Sequence, residues 1–270
     1  MTKNTNRPLC LITGASAGIG AALAHEFAKA GWDLALTARR EEPMVELAKV
    51  LKKSYGATSH ILPADLSKPG ACEDILARLD KKGAQIDGLV NNAGHGLTGH
   101  FLDNDWQAHK DFIALMLGAP CEMTHLVLDG MKQRGFGRVI NVASLAGHVP
   151  GSRGHTLYGA TKSFLIKFSQ SLNLEMQPYG VKVSALCPGF TMSEFHDVNN
   201  TRGAVNKLPG WMWMSAQDVA ESGFIALEKN QAVHIPGRAN RAIAVLASVL
   251  PDRLTLKLMN KNSDKFRKQK

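Results

Sequence analysis

The chain has 270 residues, 44% of them hydrophobic, 20% charged and 6% aromatic, a balance that excludes collagen, coiled coil and intrinsic disorder. This length lies near the upper limit for one hydrophobic core, so a single domain over residues 1–270 is expected. The formal charge of +9 is unevenly placed: nine Lys/Arg against two acids from Arg238 onward leave only +2 on residues 1–237. A near-neutral body and a basic tail with one aromatic, Phe266, and no recognised nucleic-acid module argue against a nucleic-acid partner. Cys10, Cys72, Cys121 and Cys187 lie far apart, which suits buried free thiols rather than a disulfide framework or a zinc site. His25-Glu26 is followed by Lys29 where a second metal-binding His would stand, so no metal is expected. The first apolar run, Pro8–Ile12, is five residues long and too short for a signal peptide. No stretch is read as approaching the roughly 20 apolar residues that span a bilayer, and the cytoplasm is the expected compartment.

In chain order, Leu9–Thr13, Leu34–Thr37, Ile61–Pro63, Gly88–Asn91, Arg138–Ala143, Val181–Cys187 and Ala232–Ile235 read as strands. Several are apolar without alternation, as strands buried on both faces of a parallel sheet are. Amphipathic segments near 18–30, 43–54, 70–82, 105–133 and 156–176 separate them. Strand and helix in alternation predict an α/β doubly wound parallel sheet with helices on both faces. From about 190 to 214 the pattern gives way to a loop or lid containing Phe190, Phe195, Trp211 and Trp213. A helix capped by Ser215 with Asp218 follows, and the basic tail occupies about 238–270.

The first strand runs directly into Gly14-Ala-Ser16-Ala-Gly18-Ile19-Gly20 and a helix. Glycines there allow a tight turn and bring backbone N–H groups to a pyrophosphate at the helix N-terminus. The spacing is GxxxGxG rather than GxGxxG. Gly14-Ala-Ser16-Ala-Gly18 also fits the GxSxG elbow of serine hydrolases, but that elbow normally follows several strands, whereas this turn follows the first. The position that chooses between NAD and NADP lies about 20 residues past the last glycine. Arg39 and Arg40 stand there, and two planar charged forks suit a 2′-phosphate, so the expected cofactor is NADP(H).

A second group of residues carries proton chemistry. Gly137–Ser144 ends a buried strand with a hydroxyl at its C-terminal tip, the edge where open α/β sheets bind ligands. Tyr158 and Lys162 follow at i, i+4 on one helix face. A cation beside a phenol favours the phenolate and is expected to lower the Tyr pKa from about 10, letting the phenol exchange a proton with a carbonyl or alcohol oxygen. Chance supplies about 0.2 such Tyr/Lys pairs in a chain of this composition, so the order of the three signals matters more than any one of them.

Thr13–Gly20, Asn91-Asn92-Ala93-Gly94, Ser144, Tyr158/Lys162 and Pro188-Gly189 together resemble the short-chain dehydrogenase/reductase family, over at least residues 8–235. The Ala38-Arg39-Arg40 loop, Ser144-x-Ala146-Gly147 and the tail resemble a bacterial, NADP-dependent branch of it. The resemblance implies a Rossmann-type sheet of about seven strands in order 3-2-1-4-5-6-7, and catalysis by Ser144, Tyr158 and Lys162. Tyr158 would be the general acid/base, Ser144 would hydrogen-bond the substrate oxygen, and Lys162 would grip the nicotinamide ribose and tune Tyr158. The cofactor would lie along Gly14, Ser16, Gly18, Ile19, Gly20, Arg39 and Arg40, with Asp65 and Leu66 flanking the adenine. Asn92, Ala93 and Gly94 would support it, and Pro188, Gly189 and Thr191 would meet the nicotinamide. Family members often form dimers or tetramers, which implies a homo-oligomer through the helices near 105–133 and 156–176. The chain departs from the family pattern in two places. Met116 falls where the family has an Asn that holds a relay water, and Gly151–His155 lengthens the loop between Ser144 and Tyr158 by one residue.

Leu145, His148, His155, Phe190, Phe195, Trp211 and Trp213 are expected near the substrate, a small-molecule ketone or alcohol of medium size and mostly apolar surface. His148 and His155 are read as loop residues, since Tyr158 already supplies the acid/base. The tail joins the apolar run Ala242–Leu250 to the basic Lys261–Lys270. That pairing could rest peripherally on an anionic membrane; the reading favoured here is a helix packed over the substrate pocket with a solvated end. Three functions remain distinct: an NADPH-dependent carbonyl reductase, a catalytically weak NADP-binding redox sensor, kept open by Met116, and a hydrolase using Ser16.

Overall fold

Leu9–Thr13 (β1) is buried along its whole length and lies near the middle of a parallel sheet. On one side it pairs with Asp33–Thr37 (β2), which pairs with Ser59–Ile61 (β3). On the other side follow Ile86–Asn91 (β4), Gly137–Val142 (β5) and Val181–Leu186 (β6). Phe190–Met192 (β7) and Trp213–Ser215 (β8) form a separate two-stranded parallel ladder, and Val233–His234 (β9) closes the main sheet against β6. The order β3-β2-β1-β4-β5-β6-β9 is the expected one. The computed structural model describes residues 7–97, 99–192 and 210–263.

Helices cover both faces, because successive strand side chains point to opposite sides. Cys10 and Ile12 face one side, where Gly18–Lys29 (α1), Glu41–Tyr55 (α2) and Ala216–Glu228 (α7) pack. Leu9 and Leu11 face the other, covered by Ala71–Asp80 (α3), Ala119–Arg134 (α5) and Thr156–Met176 (α6). The tail forms two helices, Arg238–Val249 (α8) and Asp252–Ser263 (α9). All four cysteines are free thiols, three of them buried.

Three local expectations need correction. Strand β3 lies two residues earlier than Ile61–Pro63; past its end the N–H groups of Leu62 and Ala64 still donate to the Leu36 and Ala38 carbonyls, at 2.9 and 3.1 Å, while the intervening Pro63 faces away from β2. The segment 105–133 is not one regular helix: Trp106–Ile113 (α4) and α5 are joined by a wide π-type turn, Ala114–Gly118. Pro120 explains it, because its ring would collide with the carbonyl four residues back, that of Met116. Finally, the continuous run Trp106–Arg134, 29 residues, is long and apolar enough to cross a bilayer by length and composition, contrary to the sequence reading. Its side chains Phe112, Met116, Ala119, Met123, Val127 and Met131 are buried within the fold, which accounts for that apolar character.

Candidate active site

The C-terminal ends of β1, β2, β4, β5 and β6 open onto one cavity of about 1500 Å³. Its cofactor-sized end is built from the glycine turn. Gly14 and Gly18 hold φ of +65° and +58°, conformations that side chains other than glycine rarely adopt. Gly20 lies under the turn: a Cβ there would sit 2.3 Å from the Gly14 carbonyl oxygen and 2.5 Å from Asn92 Nδ2. The Asn92 side chain donates to the carbonyls of Thr13 (3.0 Å) and Gly14 (3.1 Å). Thr13 Oγ1 accepts from the backbone N–H of both Asn92 and Ala93, each at 2.9 Å. Asn92 is therefore the clamp that sets the turn, and Thr13, not singled out as an individual site residue from sequence, is its buried partner.

Gly14, Ser16, Gly18, Ile19, Arg39, Arg40, Asp65, Leu66, Asn92, Ala93 and Gly94 all line this end; Gly20 supports it from behind. Arg40 Nη2 donates to Ser16 Oγ at 3.4 Å. Burial raises the Asp65 carboxyl, but hydrogen bonds from the Ser67 N–H (3.0 Å) and hydroxyl (2.8 Å), with the charges of Arg39 and Lys68, outweigh it and hold the group below its usual range. Two guanidinium groups, a side-chain hydroxyl and a glycine turn with no room for a Cβ at Gly20 fit a dinucleotide bearing a 2′-phosphate.

The other end assembles Ser144, Tyr158 and Lys162, all lining the cavity. Ser144 lies two residues past the end of β5 and caps the short turn Leu145–Gly147, accepting from the Ala146 N–H at 3.1 Å. That turn presses against α6 at Gly147, where a Cβ would lie 2.7 Å from the Lys162 backbone, and Ser163 Oγ donates to the Gly147 carbonyl at 2.7 Å. This close approach brings the Ser144 hydroxyl into hydrogen bond with the Tyr158 phenol. Leu145 N–H donates to the Pro188 carbonyl at 2.8 Å, tying the same turn to Pro188 and Gly189. Thr191 Oγ1 donates to Gly189 O at 3.2 Å, and Pro188, Gly189 and Thr191 complete the wall.

Lys162 is 6% exposed, with Nζ donating to the Val142 carbonyl at 2.7 Å and lying 5.7 Å from the Tyr158 ring centroid. Burial lowers its pKa to about 8, with Cys187 acting in the opposite direction. The expected depression of Tyr158 is not observed. Burial pushes the phenol above its ordinary 10, and the opposing influence is the Ser144 hydrogen bond. Low-dielectric surroundings disfavour phenolate and ammonium alike, so the phenol is pushed up and the ammonium down, and the two pKa values separate.

Met116 sits in the wide turn between α4 and α5, 1% exposed, and its Sδ would be 2.7 Å from a Cβ on Gly94. A thioether thus fills the place beside Asn92-Ala93-Gly94 where the sequence comparison expected an amide. Of the expected substrate contacts, Leu145, His155 and Phe190 line the cavity. His148 and Trp213 do not; Trp213 packs on Phe190 at 5.8 Å between centroids. Phe195, residues 193–209 and the Trp211 side chain lie outside what is described. Three cavity residues come from the tail and were missed individually: Asn240, Ile243 and Met259. Asn240 Nδ2 donates to Pro236 O at 2.8 Å, and its amide lies where a Cβ on Gly189 would fall. The apolar run Ala242–Leu250 was the available signal, but no sequence spacing says which face of a tail helix turns inward.

The chain matches the short chain dehydrogenase family over residues 8–203. It belongs to that family. A solved short-chain dehydrogenase from Sphingobium yanoikuyae in complex with NADPH is 33% identical, covers 93% of this chain and 95% of its own, and superposes with a TM-score of 0.79. A bulky-bulky ketone specific alcohol dehydrogenase from Comamonas testosteroni is 32% identical over 92% of this chain and 96% of its own, with a TM-score of 0.74. The NADP-dependent 3-hydroxy acid dehydrogenase of Escherichia coli is 35% identical over 195 residues, 70% of this chain and 75% of that protein. This short-chain dehydrogenase is an oxidoreductase of the dehydrogenase/reductase type with a Rossmann-type sheet.

Proposed function

We propose that the protein is an NADP(H)-dependent oxidoreductase that interconverts a ketone and a secondary alcohol on a medium-sized, mostly apolar substrate. The observation that carries this reading is the hydrogen-bonded Ser144–Tyr158 pair beside buried Lys162, in the cavity whose other end holds Arg39 and Arg40. NADPH, when bound, supplies the hydride. The substrate carbonyl oxygen sits against Ser144 Oγ and the Tyr158 hydroxyl, and Tyr158 delivers a proton to that oxygen as negative charge develops on it. Because burial keeps Tyr158 protonated at neutral pH, the site is set for reduction there. The Lys162 ammonium, titrating near 8, faces the phenolate left behind and offsets part of its burial cost. Leu145, Val149, Pro150, Phe190, Met212 and Ile243 form the apolar wall that receives the body of the substrate. Asn240, Ile243 and Met259 of the tail line the same cavity, which supports reading tail and sheet as one domain.

The relatives that bind NADPH or are NADP-dependent support the cofactor, and the relative specific for bulky ketones supports the substrate class. Against the hydrolase reading, the partner of Ser16 Oγ among the described residues is Arg40, which cannot accept a proton. The test is a panel of bulky ketones with NADPH, run on wild type and Tyr158→Phe. The proposal expects turnover that falls by about 10²–10⁴-fold in the variant while NADPH binding persists. Equal turnover in both would remove Tyr158 from the chemistry, and tight NADPH binding without turnover of any ketone or alcohol would leave a redox sensor.

A further inference from the structure

The two tail helices have an inner face that the cavity uses and an outer face that the fold leaves bare. In α8, Asn240 and Ala244 are buried and Ile243 reaches the cavity, whereas Val245, Leu246 and Val249 are 60%, 55% and 69% exposed. In α9, Thr255 is buried and Met259 reaches the cavity, whereas Leu254 and Leu256 are 45% and 51% exposed. Cations flank these side chains: Arg238 and Arg241 are exposed on α8, Arg253 and Lys257 on α9. The segment from Arg238 carries a net +7 while the rest of the chain carries +2.

In α8, Val245, Leu246 and Val249 share one helical face with Arg238 and Arg241, and in α9 Leu254 lies beside Arg253 and Lys257; exposed apolar side chains beside cations are the composition of an interfacial helix. The charge decides between occupants. A second copy docking through the same face would set exposed Arg238, Arg241, Arg253 and Lys257 against the same four cations, whereas an anionic bilayer meets both the cations and the apolar residues. We propose that α8 and α9 dock on the surface of an anionic lipid membrane, with Val245, Leu246, Val249 and Leu254 entering the interface and the arginines and lysines meeting phosphate headgroups. The helices that would lie on the lipid also supply Ile243 and Met259 to the cavity wall, so an apolar ketone dissolved in the bilayer would meet the cavity at its tail side. The docking itself does not rest on the reductase reading.

The experiment is co-sedimentation of the full-length protein with phosphatidylcholine vesicles, with and without phosphatidylglycerol, at about 0.01 M and about 1 M salt, between which the Debye length shrinks from about 30 to about 3 Å. Binding is expected with phosphatidylglycerol at low salt, weakened at high salt and lost on pure phosphatidylcholine. Each cation near the surface is worth roughly fivefold in affinity, so Arg253→Gln/Lys257→Gln should weaken binding by roughly 25-fold. Val245→Asp/Leu246→Asp should abolish insertion. Both variants alter exposed positions outside the cavity, and retained NADPH binding reports that they are folded. Failure to sediment with anionic vesicles at low salt overturns the proposal, as does unchanged sedimentation of both variants. A homodimer that dissociates in Val245→Asp/Leu246→Asp without any vesicle binding would make a second copy the occupant, and would equally overturn it.

Discussion

Lys162→Met isolates the cost of keeping a cation in the core of the site. Methionine preserves most of the side-chain length and apolar volume, and removes the ammonium and its hydrogen bond to Val142 O. In the folded protein burial lowers the Lys162 pKa from 10.5 to about 8, so the folded state holds the proton less tightly than the unfolded chain. The sign follows from linkage. The destabilisation is fully present below pH 8, shrinks as pH rises between 8 and 10.5, and vanishes above that window. That separation between the folded and unfolded values corresponds to about 3 kcal/mol at pH 7, most of which is recovered between pH 7 and pH 10. The assay is urea unfolding of wild type and variant at both pH values. Other titrating groups are shared by the two proteins, so they cancel in the double difference. Wild type should gain about 2–3 kcal/mol relative to Lys162→Met on going from pH 7 to pH 10. Parallel pH profiles would refute the reasoning, because they would mean that Lys162 titrates alike in both states.

At the other end of the cavity, Arg39→Ala/Arg40→Ala should weaken NADPH by about 1.5–3 kcal/mol, roughly 10- to 150-fold, and leave NADH nearly unchanged; equal losses for both nucleotides in a binding titration would remove the 2′-phosphate argument. Gly20→Ala places a Cβ 2.3 Å from the Gly14 carbonyl oxygen, so NADPH binding by calorimetry should be lost and stability should drop by about 1–3 kcal/mol, against which an unchanged affinity would count. Ser215 Oγ accepts from the Asp218 N–H at 2.9 Å at the start of α7. Ser215→Ala should therefore cost about 1 kcal/mol in thermal unfolding while NADPH binding stays unchanged, and an unaltered Tm would mean that the cap contributes nothing.

The sheet was legible because its strands are short unbroken apolar runs at βα spacing, and β1 with its glycine turn fixes the first crossover. The residues of the site were legible for a related reason: Ser144 stands at a strand end, and Tyr158 and Lys162 share a helix face by spacing alone. Their electrostatics were not. A Tyr/Lys spacing says nothing of burial, and burial outweighs the other influences on both groups, raising the phenol and lowering the ammonium. The wide turn at Ala114–Gly118 was hidden because the apolar periodicity of 105–133 continues through it; Pro120 was the local mark of the break. Thr13 and Asn240 escaped because their roles are long-range: Thr13 Oγ1 meets Asn92 and Ala93 almost 80 positions away, and Asn240 lies against Gly189 only once the tail has folded back.

The central claim, that this cavity carries out carbonyl reduction through Tyr158, is tested most directly by following the transferred atom. NADPH carrying deuterium on the reactive face of nicotinamide C4, incubated with a bulky apolar ketone and wild-type protein, should yield a secondary alcohol with deuterium on its carbinol carbon. Tyr158→Phe should yield almost none in the same time. Alcohol without deuterium, or undiminished deuterated alcohol from Tyr158→Phe, would contradict the account.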